Sequence, residues 1–222
     1  ENLGIDFVQS GSGYAVAPGR VKKDDGTSYK VYTPFYKNWI IHGWRAPAAD
    51  PKQWPTWATP DDCDGYPDRP DVGDKVIPPA GEQAALERYE WFLQNAADDY
   101  KAQRDIPGID GTSRLSIALK WGEIHPRTLL ARLGDNPGHE TFRKEIAWRE
   151  FYADVLFNRP ETDHEYFNPL YKKMKYDTGK KADERFLAWC EGRTGYPFVD
   201  AGMRQLKQEG WMHNLVRMVV ES

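Results

Sequence analysis

A mainly α-helical protein, opened by the end of an α/β unit, is the fold that the sequence predicts, and three observations predict it. From position 81 onward apolar residues recur every three or four positions, with no alternating run between them. A proline-rich stretch, 46–80, separates that region from what precedes it. Residues 1–45 hold two short β-prone runs on either side of an Asp-Gly turn. The length of 222 residues fits one large domain or one domain with an appendage, at roughly 100 to 200 residues per domain.

Taken in order, Tyr14–Ala17 and Tyr29–Tyr32 are expected as strands, with Asp25-Gly26 as the turn between them. A helix is expected next, with Thr33 as its cap, Pro34 at its first position and Trp39 further along. Two strands and one helix bury too little for a core, so 1–45 is expected to be the tail of a larger unit. The linker 46–80 carries eight of the sixteen prolines, and Trp54 and Trp57 favour an ordered path over a surface. Within 81–222, Ala85, Tyr89, Phe92, Leu93 and Ala96 mark a helix over 82–100, and the same habit returns over 143–157 and 182–191. The chain starts at Glu1 and closes on an apolar helical run, Leu215–Val220, with no stop signal, so both ends read as cuts.

Composition narrows the function classes. Two cysteines, Cys63 and Cys190, exclude a disulfide scaffold and suit a reducing interior. No apolar run reaches the roughly 20 residues that span a bilayer, and no leader opens the chain, so a soluble intracellular protein is expected. A net charge of −4 argues against a generic nucleic-acid coat but leaves a local basic groove open. The aromatic fraction of 14%, with nine Trp, is high, and large rings serve both cores and the stacking of flat ligands.

Three segments carry chemistry. In Gly111-Thr112-Ser113-Arg114-Leu115-Ser116, hydroxyls and an Arg precede a helical run from Ile117. Such a segment serves as a plain helix cap or, more sharply, as a phosphate or diphosphate site. In Glu145–Tyr152, helical spacing puts Glu145, Trp148, Arg149 and Tyr152 on one face. Glu145 and Arg149 could simply pair at i,i+4, yet a Trp between them invites a ligand. In the third, Thr194–Pro197 makes a turn, Val199, Met203 and Leu206 make an apolar stripe, and after Gly210 the residues His213, Asn214 and Arg217 place polar groups on an apolar helix. Those groups need partners, either in the core or on a ligand rich in hydrogen-bonding atoms. His125, His139 and His164 lack metal-ligand spacing and are read as surface or structural, so no metal site is expected.

Together these segments resemble the photolyase/cryptochrome flavoprotein family, and within it the bacterial class I photolyases that act on cyclobutane pyrimidine dimers. The matches are Tyr32–Phe35 with Trp39, Tyr100 with Arg104-Asp105, Gly111–Ser116, Trp148–Tyr152, Thr194–Pro197 with Val199–Arg204, and Gly210–Asn214, in family order. The resemblance implies that 1–45 ends an α/β, Rossmann-like antenna domain, that 46–80 links the domains, and that 81–222 is the first part of a helical FAD-binding domain. By motif, Tyr100, Thr112, Ser113, Arg114, Leu115 and Ser116 match flavin-binding positions, Arg149 a phosphate clamp, and Asn214 and Arg217 flavin contacts.

On the substrate side the resemblance implies DNA contacts at Arg104, Tyr152, Asn214, Leu215 and Met218. It implies catalytic roles for Glu145, which hydrogen-bonds the dimer, for Trp148, which packs on it, and for Asn214 beside the reactive ring. The implied activity is light-driven electron transfer from reduced FAD to a flipped-out dimer in UV-damaged DNA. An antenna chromophore of methenyltetrahydrofolate or deazaflavin type, a monomeric state and a bacterial cytoplasmic location complete the expectation. A cryptochrome-type photoreceptor and an inactive truncated chain are the alternatives. Leu215 stands where the family usually has Arg, and Glu221 where a small residue is common.

Overall fold

A computed structural model describes residues 11–49, 52–53, 56, 68 and 70–221. The expectations at Trp54, Trp57 and Cys63 lie outside them. The architecture is mainly helical, and it divides into two compact units: residues 1–47 with 79–178, and residues 48–78 with 179–222.

The first unit holds six α-helices among its described residues: α1 (Tyr32–His42), α2 (Glu82–Asn95), α3 (Tyr100–Gln103), α4 (Ser116–Trp121), α5 (Pro126–Leu130) and α6 (Pro137–Asn158). The last is its axis. Asn136 caps α6 by accepting the His139 N–H at 2.8 Å, Pro137 opens its first turn, and 22 residues make it about 33 Å long. Its inner face carries Phe142, Ile146, Ala147 and Phe151, which pack with Phe35 and Trp39 of α1 and with Tyr89 and Phe92 of α2 in one core. Tyr89 is fully buried and satisfies its hydroxyl on the Leu129 carbonyl at 2.6 Å. At Gly138 a Cβ would stand 2.1 Å from the Ala97 carbonyl oxygen, so the start of α6 lies against the chain leaving α2 as no larger residue allows.

Two expectations for the first 45 residues fail. No strand forms among the described residues. The Asp25-Gly26 turn is present, closed by Lys23 N–H to the Thr27 carbonyl at 3.0 Å, but the flanking runs find no ladder. The N–H groups of Ala15 and Val16 go to the Glu150 carboxylate instead, and the Tyr29 ring packs edge-on to Phe35. Side-chain contacts to α6 and α1 thus override β propensity. The first helix also starts one residue before its expected cap: Val31 is the N-cap, with no side-chain bond, and Pro34 lies inside the first turn. Tyr32 is drawn into the helix by tertiary contacts, its ring stacked on Trp148 and its hydroxyl donating to the Lys144 carbonyl at 2.8 Å.

The helix expected over 82–100 breaks at Asn95. The N–H groups of both Ala96 and Ala97 turn back to the Phe92 carbonyl, and α3 starts afresh at Tyr100.

The second unit is built, among its described residues, from α7 (Lys180–Cys190), α8 (Pro197–Glu209) and α9 (Asn214–Val220). Met203, Met212, Val216 and Val220 form its core, joined by Val199, Leu206 and Trp189, so the apolar stripe read at 199, 203 and 206 faces inward. At Gly202 a Cβ would meet Val216 Cγ1 at 2.4 Å, which sets how closely α8 and α9 pack. Trp189 closes the group by donating its indole N–H to the Val220 carbonyl at 3.1 Å.

Candidate functional site

In the first unit, α3 and α6 bring together three of the residues singled out by sequence. Arg104, just past α3, donates from Nη1 to the Glu145 carboxylate, and both side chains are 26% exposed. Tyr100 lies beneath them, edge-on to Phe92 and Phe142 at 5.6 and 5.5 Å, with the Arg104 guanidinium 6.0 Å from its ring centre. Burial pushes the Tyr100 hydroxyl above its ordinary pKa, and the Glu145 charge adds to that. The i,i+4 pairing of Glu145 with Arg149 does not form, because Arg104 takes the carboxylate and Arg149 turns elsewhere.

Arg149 bridges a loop and a helix. It donates to the Gly13 carbonyl at 3.1 Å and to the Leu119 carbonyl of α4 at 3.0 Å, and its guanidinium lies 4.4 Å from the centre of the Tyr14 ring. Trp148 is half-buried and stacked on Tyr32, with centroids 3.6 Å apart and planes 8° from parallel. Beyond it stands Tyr152, 64% exposed, at 5.6 Å and 26°. The face of α6 thus presents an ion-paired carboxylate, an indole held rigid from one side, and an accessible phenol.

The hydroxyl loop follows α2. Arg88 of α2 holds its backbone by donating to the Ser113 and Thr112 carbonyls at 3.0 and 2.6 Å, and it grips Asp110 with two bonds of 2.9 and 2.7 Å. Burial works against the Asp110 charge, but Arg88 and Arg114 outweigh it and hold the carboxyl below its usual range. The plain cap reading fails: Leu115 is the N-cap of α4 and no side chain caps it. The Ser113 hydroxyl accepts only a long 3.4 Å bond from Leu115 N–H. Arg114 has φ of 54°, the one non-glycine residue with positive φ among the described residues. Holding it there costs on the order of 1 kcal/mol or more, a strain that clusters at ligand sites.

The remaining predicted residues lie in the second unit. Asn214 opens α9 and is exposed; Leu215 is half-buried; Met218 is 64% exposed. His213 is buried and caps α9, its Nδ1 accepting the Leu215 N–H at 3.2 Å. Arg217 pairs with Glu221 at 3.0 Å along the helix. The turn before α8 is fastened by Asp200, whose carboxylate accepts the Thr194 N–H and hydroxyl and the Gly195 N–H at 2.7, 2.6 and 3.0 Å. The Thr194 hydroxyl, with these N–H groups, holds its pKa below the ordinary carboxylate value.

The sequence reading missed Glu150 and Asp154. Glu150 is 2% exposed, and its carboxylate accepts N–H groups from Ala15, from Val16 at 3.0 Å and from the Trp39 indole at 2.7 Å. Asp154, one turn on, accepts the Gly19 N–H at 2.7 Å. The signal was available: both acids fall on the stripe of Phe142, Ile146 and Phe151, where a solvated carboxylate has no place. Among the described residues no group of His, Cys, Asp and Glu can hold a metal ion. No described helix is long and apolar enough to cross a membrane.

An aromatic-acid helix face and a strained hydroxyl loop make this helical domain a candidate for ligand binding. Comparison with known proteins identifies it. Residues 142–222 match the family described as the FAD binding domain of DNA photolyase. The deoxyribodipyrimidine photo-lyase of Alkalihalophilus pseudofirmus is 34% identical, over 98% of this chain and 47% of its own length. That of Agrobacterium fabrum is 37% identical, over 97% of this chain and 48% of its own. The crystal structure of a class III photolyase from Agrobacterium tumefaciens superposes with a TM-score of 0.75 at 35% identity, covering 94% of this chain and 46% of that one. The chain belongs to the DNA photolyase family, and it spans about half the length of the curated relatives it matches.

Proposed function

We propose that the protein repairs cyclobutane pyrimidine dimers in UV-damaged DNA in a light-dependent reaction, as a deoxyribodipyrimidine photolyase, a carbon–carbon lyase with FAD as its cofactor. One observation carries the reading: α3 and α6 join Arg104 to Glu145 on the same helix face as Trp148, three residues with substrate-side roles in the family motif. The residues of the first unit fit an FAD diphosphate at the hydroxyl loop. The loop is strained at Arg114, its backbone is fixed from behind by Arg88, and the first turn of α4 has no side-chain cap. Thr112, Ser113, Arg114, Leu115 and Ser116 would hold that end of the cofactor, with Tyr100 and Arg149 beside it and Asn214 and Arg217 as further contacts. Reduced FAD, when bound, supplies the electron that splits the dimer.

The chain's own residues bind and orient. Trp148, braced by Tyr32, offers a flat wall on which a flipped base stacks, and Tyr152 extends it. Glu145 faces the dimer's hydrogen-bonding edge, and Arg104 both orients that carboxylate and reaches a backbone phosphate. Asn214, Leu215 and Met218 complete the substrate contacts. Glu145, Met218 and the His213-Asn214 pair favour repair of cyclobutane dimers over a 6-4 lesion, and class I within the family is part of the same proposal. An antenna chromophore of folate or deazaflavin type, residues 1–45 as the end of the antenna domain, 46–80 as the linker, a monomeric state and a bacterial cytoplasmic location belong to the same proposal.

The test is irradiation with near-UV light of a dimer-containing oligonucleotide, with the protein and reduced FAD, followed by chromatography of the intact bases. Light-dependent loss of dimers is expected. Trp148→Ala is expected to weaken binding of damaged DNA by about 1–3 kcal/mol, the usual worth of one aromatic stacking partner. A bound flavin without any light-dependent loss of dimers overturns repair in favour of a signalling photoreceptor.

A further inference from the structure

We infer that Arg88 is a positioning residue for the cofactor: through two loop carbonyls and the Asp110 carboxylate it aims the backbone N–H groups of the hydroxyl loop at a diphosphate. The inference rests on the reading of that loop as the FAD diphosphate site. It adds to that site Arg88 and Asp110, which lie outside the six matched motifs.

All three guanidinium nitrogens of Arg88 are turned to the loop. Nε donates to the Ser113 carbonyl, Nη2 to the Thr112 carbonyl, and Nη1 and Nη2 each take one oxygen of Asp110. The Asp110 Oδ1 that Nη2 holds also accepts Arg114 Nε at 3.1 Å, so one carboxylate joins the Arg on α2 to the Arg in the loop. On the helix side, the guanidinium carbon lies 4.0 Å from the centre of the Trp91 ring, and Trp91 is packed against the core of the first unit. The clamp is therefore mounted on a fixed base.

Peptide geometry turns this clamp into a positioning device. No described peptide bond is cis, and in a planar trans peptide the C=O and the N–H point in opposite directions. Holding the Thr112 and Ser113 carbonyls on Arg88 therefore turns the N–H groups of Ser113 and Arg114, at the other ends of the same two planes, away from α2. Successive backbone N–H groups directed to one side make a concavity that favours an anion. The bond to the Ser113 carbonyl also fixes the plane that defines φ at Arg114, the position strained at 54°. Released from Arg88, that plane can rotate toward an unstrained φ and carry the Arg114 N–H with it. A Lys at 88 keeps the charge but lacks the planar fork that spans two carbonyls and a carboxylate at once.

The test titrates FAD, ADP and adenosine into the native protein, R88K, R88Q, D110N and the R88Q/D110N double variant, with binding followed by calorimetry and the helical fold of each checked by circular dichroism. R88Q is expected to weaken FAD and ADP by about tenfold or more, in line with the loss of charge-assisted bonds, and to leave adenosine, which has no diphosphate, unchanged. R88K should shift ADP in the same direction and keeps the test open if R88Q does not fold. Because Arg88 and Asp110 act through one clamp, the double variant should bind ADP much as R88Q does, well short of the sum of the single losses. Native affinity for FAD and ADP in both R88K and R88Q overturns the inference alone. Equal weakening of ADP and adenosine also overturns it, since the loss is then a general disruption of the site. A native protein that binds neither FAD nor ADP overturns the cofactor reading of the loop, and this inference with it.

Discussion

Glu150 and Asp154 are unusual acids, because each is buried and yet bonded only to N–H groups, with no paired cation. Burial raises both pKa values, and the N–H donors pull in the opposite direction without cancelling it. A carboxyl whose folded pKa lies above its unfolded one binds more protons in the native state, so its contribution to stability falls as pH rises through the folded value. Glu150→Gln removes that titration. The stability of the native protein relative to this variant should therefore rise as pH drops from 7 toward 5, measured by urea unfolding at each pH. Asp200 runs the other way: its pKa is depressed, so the advantage of Asp over Asp200→Asn is present above about pH 4 and disappears as pH falls through the depressed value. At this scale the sequence was partly legible. Glu145, Trp148 and Arg149 were found because exposed chemistry follows helical spacing, and the partner of Glu145 was not, because Arg104 lies 41 residues away and only folding reveals the pair.

At the scale of elements, the long-period signals were readable and the short-period ones were not. The runs in α2, α6, α7 and α8 show an apolar face over many turns, so their existence followed from spacing alone. Tyr14–Ala17 and Tyr29–Tyr32 look like strands because valine and tyrosine favour pleated backbone, yet a strand needs a neighbour, and the neighbours here are helices. Spacing left the hydroxyl loop open between a helix cap and a phosphate site, and the cap does not form, because Leu115 takes the N-cap position and no side chain caps it. The contact of α8 with α9 yields a sharp expectation. Gly202→Ala places a methyl carbon 2.4 Å from Val216 Cγ1, far inside van der Waals contact. The variant should lose about 1–3 kcal/mol, read as a lowered denaturant midpoint with the slope unchanged.

For the molecule as a whole, the first compact unit carries Tyr100, the 112–116 loop and Arg149, residues proposed to contact the cofactor. A ligand that binds only the folded protein stabilises it by mass action, by about 2.7 kcal/mol at a hundredfold excess over Kd. Adding FAD should accordingly raise the thermal midpoint in a concentration-dependent way, and Arg149→Ala should reduce that rise, as followed by scanning fluorimetry. No change of midpoint with FAD would contradict the assignment. The overall helical class was legible from periodicity, and the family from six ordered motifs; the division into units was not, because it groups residues 1–47 with 79–178 across an intervening segment, a pairing that local pattern does not encode.

The anchoring of the 15–19 loop on α6 also shapes kinetics. The Ala15 and Val16 amides meet Glu150 across 135 and 134 residues of chain, so closing that loop carries a large entropic penalty before any bond rewards it. A contact with that penalty is expected to form after the rate-limiting barrier to refolding. Weakening it, for example by Glu150→Gln, should leave the refolding arm of a chevron unchanged and steepen the loss of native molecules on the unfolding arm, which makes this buried acid a latch on the lifetime of the folded state.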